Sequence, residues 1–253
     1  MICSQQLWSN PIRDYEKDKS TVKNIYHKGW IDFNKNGVKD IYEDSYAPLE
    51  ARVQNLLSQM TLEEKSCQMA TLYGSGRVLN DALPSDNWKN EVWKDGIGNI
   101  DEEHNGLGSF KSAYSFPYAH HVKTKHAIQR WFVENTRLGI PVDFTNEGIR
   151  GLCHDRATYF PAQCGQGATW NKELIAQARE ASVLGYTYIY SPILDIAQDP
   201  RWGRCVETYG EDPYHAGQMG KQMILSLQKN KLVSTPKHFA VYSIPVGGRD
   251  GKT

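Results

Sequence analysis

The sequence predicts an α/β fold, in the form of a (β/α)8 TIM barrel. Three observations carry that expectation. From about residue 139 onward, short apolar runs of strand type alternate with longer runs of helical period, and this alternation implies a parallel sheet. The links into the strands are short and the stretches after them are long, as in a barrel that gathers its site at the C-terminal strand ends. Charged residues collect just beyond those strands. A doubly wound open sheet shares the alternation, but no G-x-G-x-x-G or G-x-x-x-x-G-K-[ST] follows a strand, so a nucleotide fold gains little support.

Taken in order, residues 1–48 are polar and aperiodic and read as an N-terminal extension ahead of a barrel region over 49–253. The extension contains "DFNKNGVKDIYE". Asp32, Asn34, Asn36, Asp40 and Glu43, with Gly37 at the turn, fit the spacing of a calcium loop, in which alternating oxygens suit a hard cation. The competing reading is a polar turn that binds nothing, since "NIYHKGWI" ahead of it is a poor helix. Leu49, Val53, Leu56, Leu57 and Met60 share one helical face. Thr61 and Glu64 in "TLEE" form a capping box that starts a second helix. Residues 74–120 read as long loops and 122–137 as a helix. "GIPVDFT" (139–145) is a strand, Asn171 caps a helix running to about Leu184, and "TYIYSPILDIA" (187–197) is a strand entering a loop. "DPYHAGQMGKQMILSLQKN" (212–230) is a helix, and "KLVSTPKHFAVY" (231–242) is a strand with its exit.

Composition narrows the partners. Lys plus Arg equals Asp plus Glu at 29 each, so no basic excess exists to grip phosphates and nucleic acid is not an expected partner. No apolar stretch of about 18 residues occurs, so no membrane span is expected. "MICSQQLWSN" lacks a signal-peptide pattern. Five cysteines without C-x-x-C argue against a structural zinc. A Cys153–Cys164 bridge is conceivable, but buried thiols are the simpler reading. The generous aromatic supply is mostly core, with a few rings available as platforms for sugars.

Glu147 follows "PVDFTN", Asp195 follows "SPIL", and Lys237 and His238 follow "VSTP". Between the last two lies "DIAQDPRWGRCVETYGEDP", with Asp199, Arg201, Arg204, Glu207, Glu211 and Asp212. Each alone has an ordinary explanation: loop ion pairs stiffen loops, and acids favour helix starts. Together at successive strand exits they suit a polyol ring, since Lys and Arg donate, Asp and Glu accept, and His does either.

"SPILDIAQDPRWGRCVETYGEDPY" resembles the signature stretch of glycoside hydrolase family 3. "TPKHFAVY" resembles its Lys-His-Phe motif, "NEGIRG" its acid followed by glycine, and "LLSQMTLEEK" its N-terminal helix. The likeness runs from about Pro48 to Thr253. It implies a retaining exo-β-glycosidase that removes one sugar from the non-reducing end of a β-linked glycan or glycoside, with two carboxyl groups as nucleophile and acid/base. Carried over by motif, Glu147, Arg204, Lys237 and His238 bind hydroxyls of the terminal sugar, and Arg249 is a further candidate. The family nucleophile, an Asp on a later strand, and the acid/base from a second domain are expected beyond Thr253. The resemblance therefore implies a barrel truncated before its last strands and a chain that is inactive alone. Asp250 has no strand to place it as a nucleophile. "KHFAVYSIPVGG" lacks the Asp-His loop of the family's β-N-acetylglucosaminidases, which leaves a glucosidase-like or xylosidase-like parent.

Two other readings stand beside this one: a sugar-binding protein without catalysis, and a calcium-dependent interaction module. No cofactor is required by the glycosidase reading, calcium at the N-terminal loop aside. By resemblance, the expected location is periplasmic or secreted.

Overall fold

The protein is described by a computed structural model covering residues 24–73, 81, 83–90, 94–102, 116–154, 156–175, 179–240, 242–245 and 248. The chain divides into two compact units, one over 1–100 and 107–142 and one over 101–106 and 143–253.

In the first unit, β1 (Tyr26–His27) and β2 (Trp30–Ile31) form a small antiparallel ribbon. Helices α1 (Leu49–Gln59) and α2 (Leu62–Gln68) follow. The expected capping box is present: the Glu64 amide donates to Thr61 Oγ1 at 3.2 Å, and the Thr61 amide donates to Glu64 Oε2 at 2.9 Å. The apolar face read on α1 is less covered than its periodicity suggested. Leu49 is 73% exposed and no α1 residue is fully buried among the described contacts. The helix is anchored instead by polar groups, with Arg52 Nε donating to the Tyr42 carbonyl and the Tyr42 amide donating to Asn55 Oδ1. Strand β3 (Thr71–Tyr73) neighbours β4 (Asn99–Asp101). Gly98 lets β4 approach α2: a Cβ there would lie 2.2 Å from the Gln68 carbonyl oxygen. Helix α3 (Tyr118–Asn135) buries Ile128, Trp131 and Phe132, with Trp88 edge-on to Trp131.

The second unit carries the alternation. Strand β5 (Asp143–Asn146) pairs in parallel with β6 (Tyr188–Ile189), and β6 with β7 (Val233–Ser234). Thr145 lies opposite Tyr188, which lies opposite Val233. Between the strands come α4 (Gln163–Gly167), α5 (Arg179–Val183) and α6 (Pro213–Lys229). Helix α6 begins where the sequence places it: Asp212 Oδ1 accepts from the His215 amide at 2.8 Å and Pro213 stands at the first turn, which needs no donor there. It buries Ala216, Met219, Gly220, Met223 and Leu227, one face at helical spacing. Gly220 admits Leu194, whose Cδ2 would stand 2.3 Å from an added Cβ.

The fold is thus α/β, with parallel strands separated by helices and their exits on one side, as in part of a (β/α) barrel. Three local expectations shift. The helix read from Asn171 to Leu184 is a 3-10 turn at Lys172–Ile175 and then α5, with 176–178 outside the described residues. The stretch 187–197, read as a strand entering a loop, is a strand at β6 with one further parallel bridge at Ile193–Lys237; Pro192 between them has no amide proton to give the ladder. Cys67, Cys153, Cys164 and Cys205 are free thiols; Cys164 is exposed and the others are half-buried rather than fully buried.

Candidate functional site

The exits of β5, β6 and β7 bring the predicted polar groups together. Glu147 is the first residue past β5. Its loop is braced by the fully buried Asn146, whose Oδ1 accepts from the Gly148 and Cys153 amides and whose Nδ2 donates to the Cys153 carbonyl. Gly148 has φ +63, and a Cβ would lie 2.5 Å from Ile189 Cγ2, so this turn requires glycine. Ser191 Oγ, past β6, donates to the Glu147 carbonyl at 2.6 Å.

The exits of β6 and β7 are stitched by backbone. The Leu194 amide donates to the Lys237 carbonyl at 2.7 Å, and the Lys237 amide donates to the Pro192 carbonyl at 3.0 Å. This pairing fixes the placement of Lys237 and His238. Lys237 Nζ donates to Glu147 Oε2 at 2.5 Å and lies 5.9 Å from the Tyr190 ring centre. His238 Nδ1 meets Asp195 Oδ2 at 2.7 Å.

Arg204 arrives from the long loop. Its Nε and Nη2 donate to the two carboxylate oxygens of Glu207 at 3.0 and 2.5 Å, a bidentate pairing that fixes the plane of the guanidinium. The Tyr242 ring lies between two predicted residues, 5.2 Å from Arg204 Cζ and 4.6 Å from the His238 ring, and packs edge-on against Trp202. Trp202 is 1% exposed. The loop is closed by Gly203 N donating to the Gly248 carbonyl, while Arg201 is bidentate on Asp199 locally at its surface. Arg249 and Asp250 lie outside the described residues.

Sequence reasoning left several supports unassigned. Tyr242 and Asn146 carried no signal beyond their types. Glu207 was named only as a loop acid. Asp101 was not named at all, although Thr145 Oγ1 donates to its Oδ1 at 2.7 Å beside the β5 exit. Burial lifts the Asp101 carboxyl to about 6, with the Glu102 and Glu147 charges pushing the same way. The folded state therefore holds a proton that the unfolded chain has released between roughly pH 4 and 6, and this group's contribution to stability falls as pH rises through that window. Asp101→Asn is expected to stabilise the protein relative to wild type by on the order of 3 kcal/mol at pH 8 and by nothing at pH 3. Urea midpoints at the two pH values read this, and equal differences at both would refute it. Burial, with the Glu102 charge, lifts the Cys153 thiol to about 12, which keeps it protonated and a poor nucleophile.

In the 32–43 loop, the predicted residues do lie together but answer one another. Asp32 accepts from the Asn36 and Gly37 amides, and Glu43 from the Phe33 and Asp40 amides. Asn34 and Asn36 both donate side-chain N–H to Asp40 Oδ2 at 2.8 Å. Among the described residues, no group of three His, Cys, Asp or Glu side chains is placed to hold a metal ion. As arranged, these oxygens are engaged by the loop's own donors, as in a closed polar turn.

Paired charges and aromatic rings collect past the ends of parallel strands, on the side where (β/α) barrel proteins build their sites. Residues 61–251 match the description "Glycosyl hydrolase family 3 N terminal domain". The chain belongs to glycosyl hydrolase family 3. A β-xylosidase of Formosa agariphila is 40% identical over 127 residues, covering 43% of this chain and 18% of that protein. A periplasmic β-glucosidase of Salmonella typhimurium is 31% identical over 129 residues, covering 47% of this chain and 16% of that protein. The crystal structure of a β-glucosidase from Listeria innocua in complex with glucose superposes with a TM-score of 0.59 at 26% identity, covering 77% of this chain and 27% of that one. In each case the matched stretch covers less than a third of the relative's length.

Proposed function

We propose that residues 143–245 bind the terminal sugar ring, in the subsite before the scissile bond, of a retaining exo-β-glycosidase acting on β-linked glucose or xylose. The observation that carries this is the Glu147–Lys237 pair at the β5 and β7 exits, with His238, the next residue, and Arg204 both set against the Tyr242 ring. A carboxylate that accepts from two hydroxyls of one ring, flanked by fixed cationic donors, suits a polyol better than any other small ligand class. Lys237 and Arg204 donate to ring hydroxyls, Glu147 accepts from them, and His238 presents its outer nitrogen. The names of the relatives support a glucosidase or xylosidase parent.

Retaining hydrolysis needs two carboxyl groups about 5 Å apart across the bond. In this reading the groups at the strand exits hold the ring and supply neither the nucleophile nor the acid/base. Binding without cleavage is accordingly the property expected of this chain. The name of the Salmonella relative supports a periplasmic or secreted setting; no helix among the described residues is long and apolar enough to cross a membrane.

Titration calorimetry with glucose, xylose and D-glucono-1,5-lactone tests the reading, run beside hydrolysis assays on nitrophenyl β-glucoside and β-xyloside. Saturable binding without turnover is expected. Absence of binding by every sugar would sink the subsite assignment, and turnover by the 253-residue chain would sink the division of labour. Preference for glucose over xylose, or the reverse, reads whether the site accommodates the hydroxymethyl group.

A further inference from the structure

We infer that Asp195 is a positioning residue that sets which nitrogen of His238 faces the sugar. The inference rests on the proposed subsite for its functional meaning, but its structural content stands on the contact itself.

Asp195 is not placed to touch a ligand. Its side chain is 3% exposed, against 30% for His238. Its Oδ2 lies 2.7 Å from His238 Nδ1. An ionised carboxylate only accepts hydrogen bonds, so the proton of this contact sits on Nδ1. In a neutral ring that leaves the lone pair on Nε2, which then accepts from a hydroxyl; in a protonated ring both nitrogens donate. Without the carboxylate, a neutral imidazole commonly carries its proton on Nε2 and would meet a sugar with the opposite polarity.

The two partners are also held at fixed distance. Ile193, two positions before Asp195, and Lys237, immediately before His238, are bridged in parallel, and the Leu194 amide donates to the Lys237 carbonyl at 2.7 Å. Ile193 is further tied by Gln163, whose Oε1 accepts from its amide and whose Nε2 donates to its carbonyl, both at 3.2 Å. On its other side, the His238 ring meets the Tyr242 ring at an interplanar angle of 62°. The ring is therefore held at Nδ1 by a buried acceptor and packs against the Tyr242 ring, and Nε2 is the nitrogen this arrangement offers to a ligand.

The test is side-chain 15N NMR of histidine-labelled protein, with the His238 resonances assigned by His238→Gln. The neutral wild-type ring is expected to show a protonated Nδ1 and a bare Nε2. Asp195→Asn, whose amide oxygen still accepts, is expected to keep that pattern in part, and Asp195→Leu to shift it toward a protonated Nε2. Affinity for D-glucono-1,5-lactone should fall about tenfold in Asp195→Leu, the loss of one hydrogen bond to a polar group, and recover partly in the Asn variant. A wild-type spectrum with Nε2 protonated, or a Leu variant with the wild-type pattern, overturns the inference. If the Leu variant does not fold, the wild-type spectrum alone decides. A wild type with the expected pattern that binds no sugar would count against the subsite and leave the positioning role standing.

Discussion

Glu147→Gln is expected to lower affinity for D-glucono-1,5-lactone by about a hundredfold or more. Two effects add. The carboxylate's hydrogen bonds to hydroxyls are charge-assisted, each contributing about 1.5–3 kcal/mol. The amide also presents an N–H where a second acceptor stood, and it leaves Lys237, whose side chain is 15% exposed, without its anionic partner. Stability should change little, because the Glu147 side chain is 37% exposed and the loop is held by Asn146 and Ser191 through the backbone. Calorimetry and a melting curve on the same sample separate the two effects. Unchanged affinity would remove Glu147 from the site. Asp199→Asn serves as the control: that residue pairs with Arg201 on the loop surface and should leave affinity unaltered.

Trp202→Ala is expected to cost about 3–5 kcal/mol of stability, the usual loss for truncating a buried aromatic side chain. The indole is 1% exposed and supports Tyr242 edge-on at 5.8 Å. Tyr242 in turn separates Arg204 from His238, so sugar binding should weaken even under conditions where the variant remains folded. Urea unfolding followed at saturating and zero lactone reads both losses. A shift below about 1 kcal/mol would mean that the pocket around Trp202 collapses to fill the gap.

Legibility in the sequence followed the range of the interactions. The Thr61–Glu64 box joins residues three apart and formed as read, and the helix read over 212–230 starts as expected at Pro213 behind Asp212. The placement of Glu147, Lys237 and His238 just past strands was also visible, because an apolar run followed by a charge is a local pattern. What was not visible spans the chain: Lys237 meets Glu147 across 90 positions, and His238 meets Asp195 across 43. Asp101 looked like one acid among several in a polar loop, and only the neighbouring β5 makes it a buried one. The exposed α1 face marks the opposite limit, since helical period shows which residues line up but not whether anything covers them. Family likeness supplied roles for Arg204 and the Lys-His pair that periodicity and spacing alone do not.

The backbone stitch between the β6 and β7 exits also governs how the rim meets a ligand. Lys237, His238 and Asp195 ride on chain segments already hydrogen-bonded to each other, so their arrangement is settled during folding rather than at encounter. Little conformational entropy then remains to be lost when a sugar arrives. A loose ligand of modest size can be held by few contacts, and its selectivity comes from the fixed spacing of the donors and acceptors rather than from closure around it.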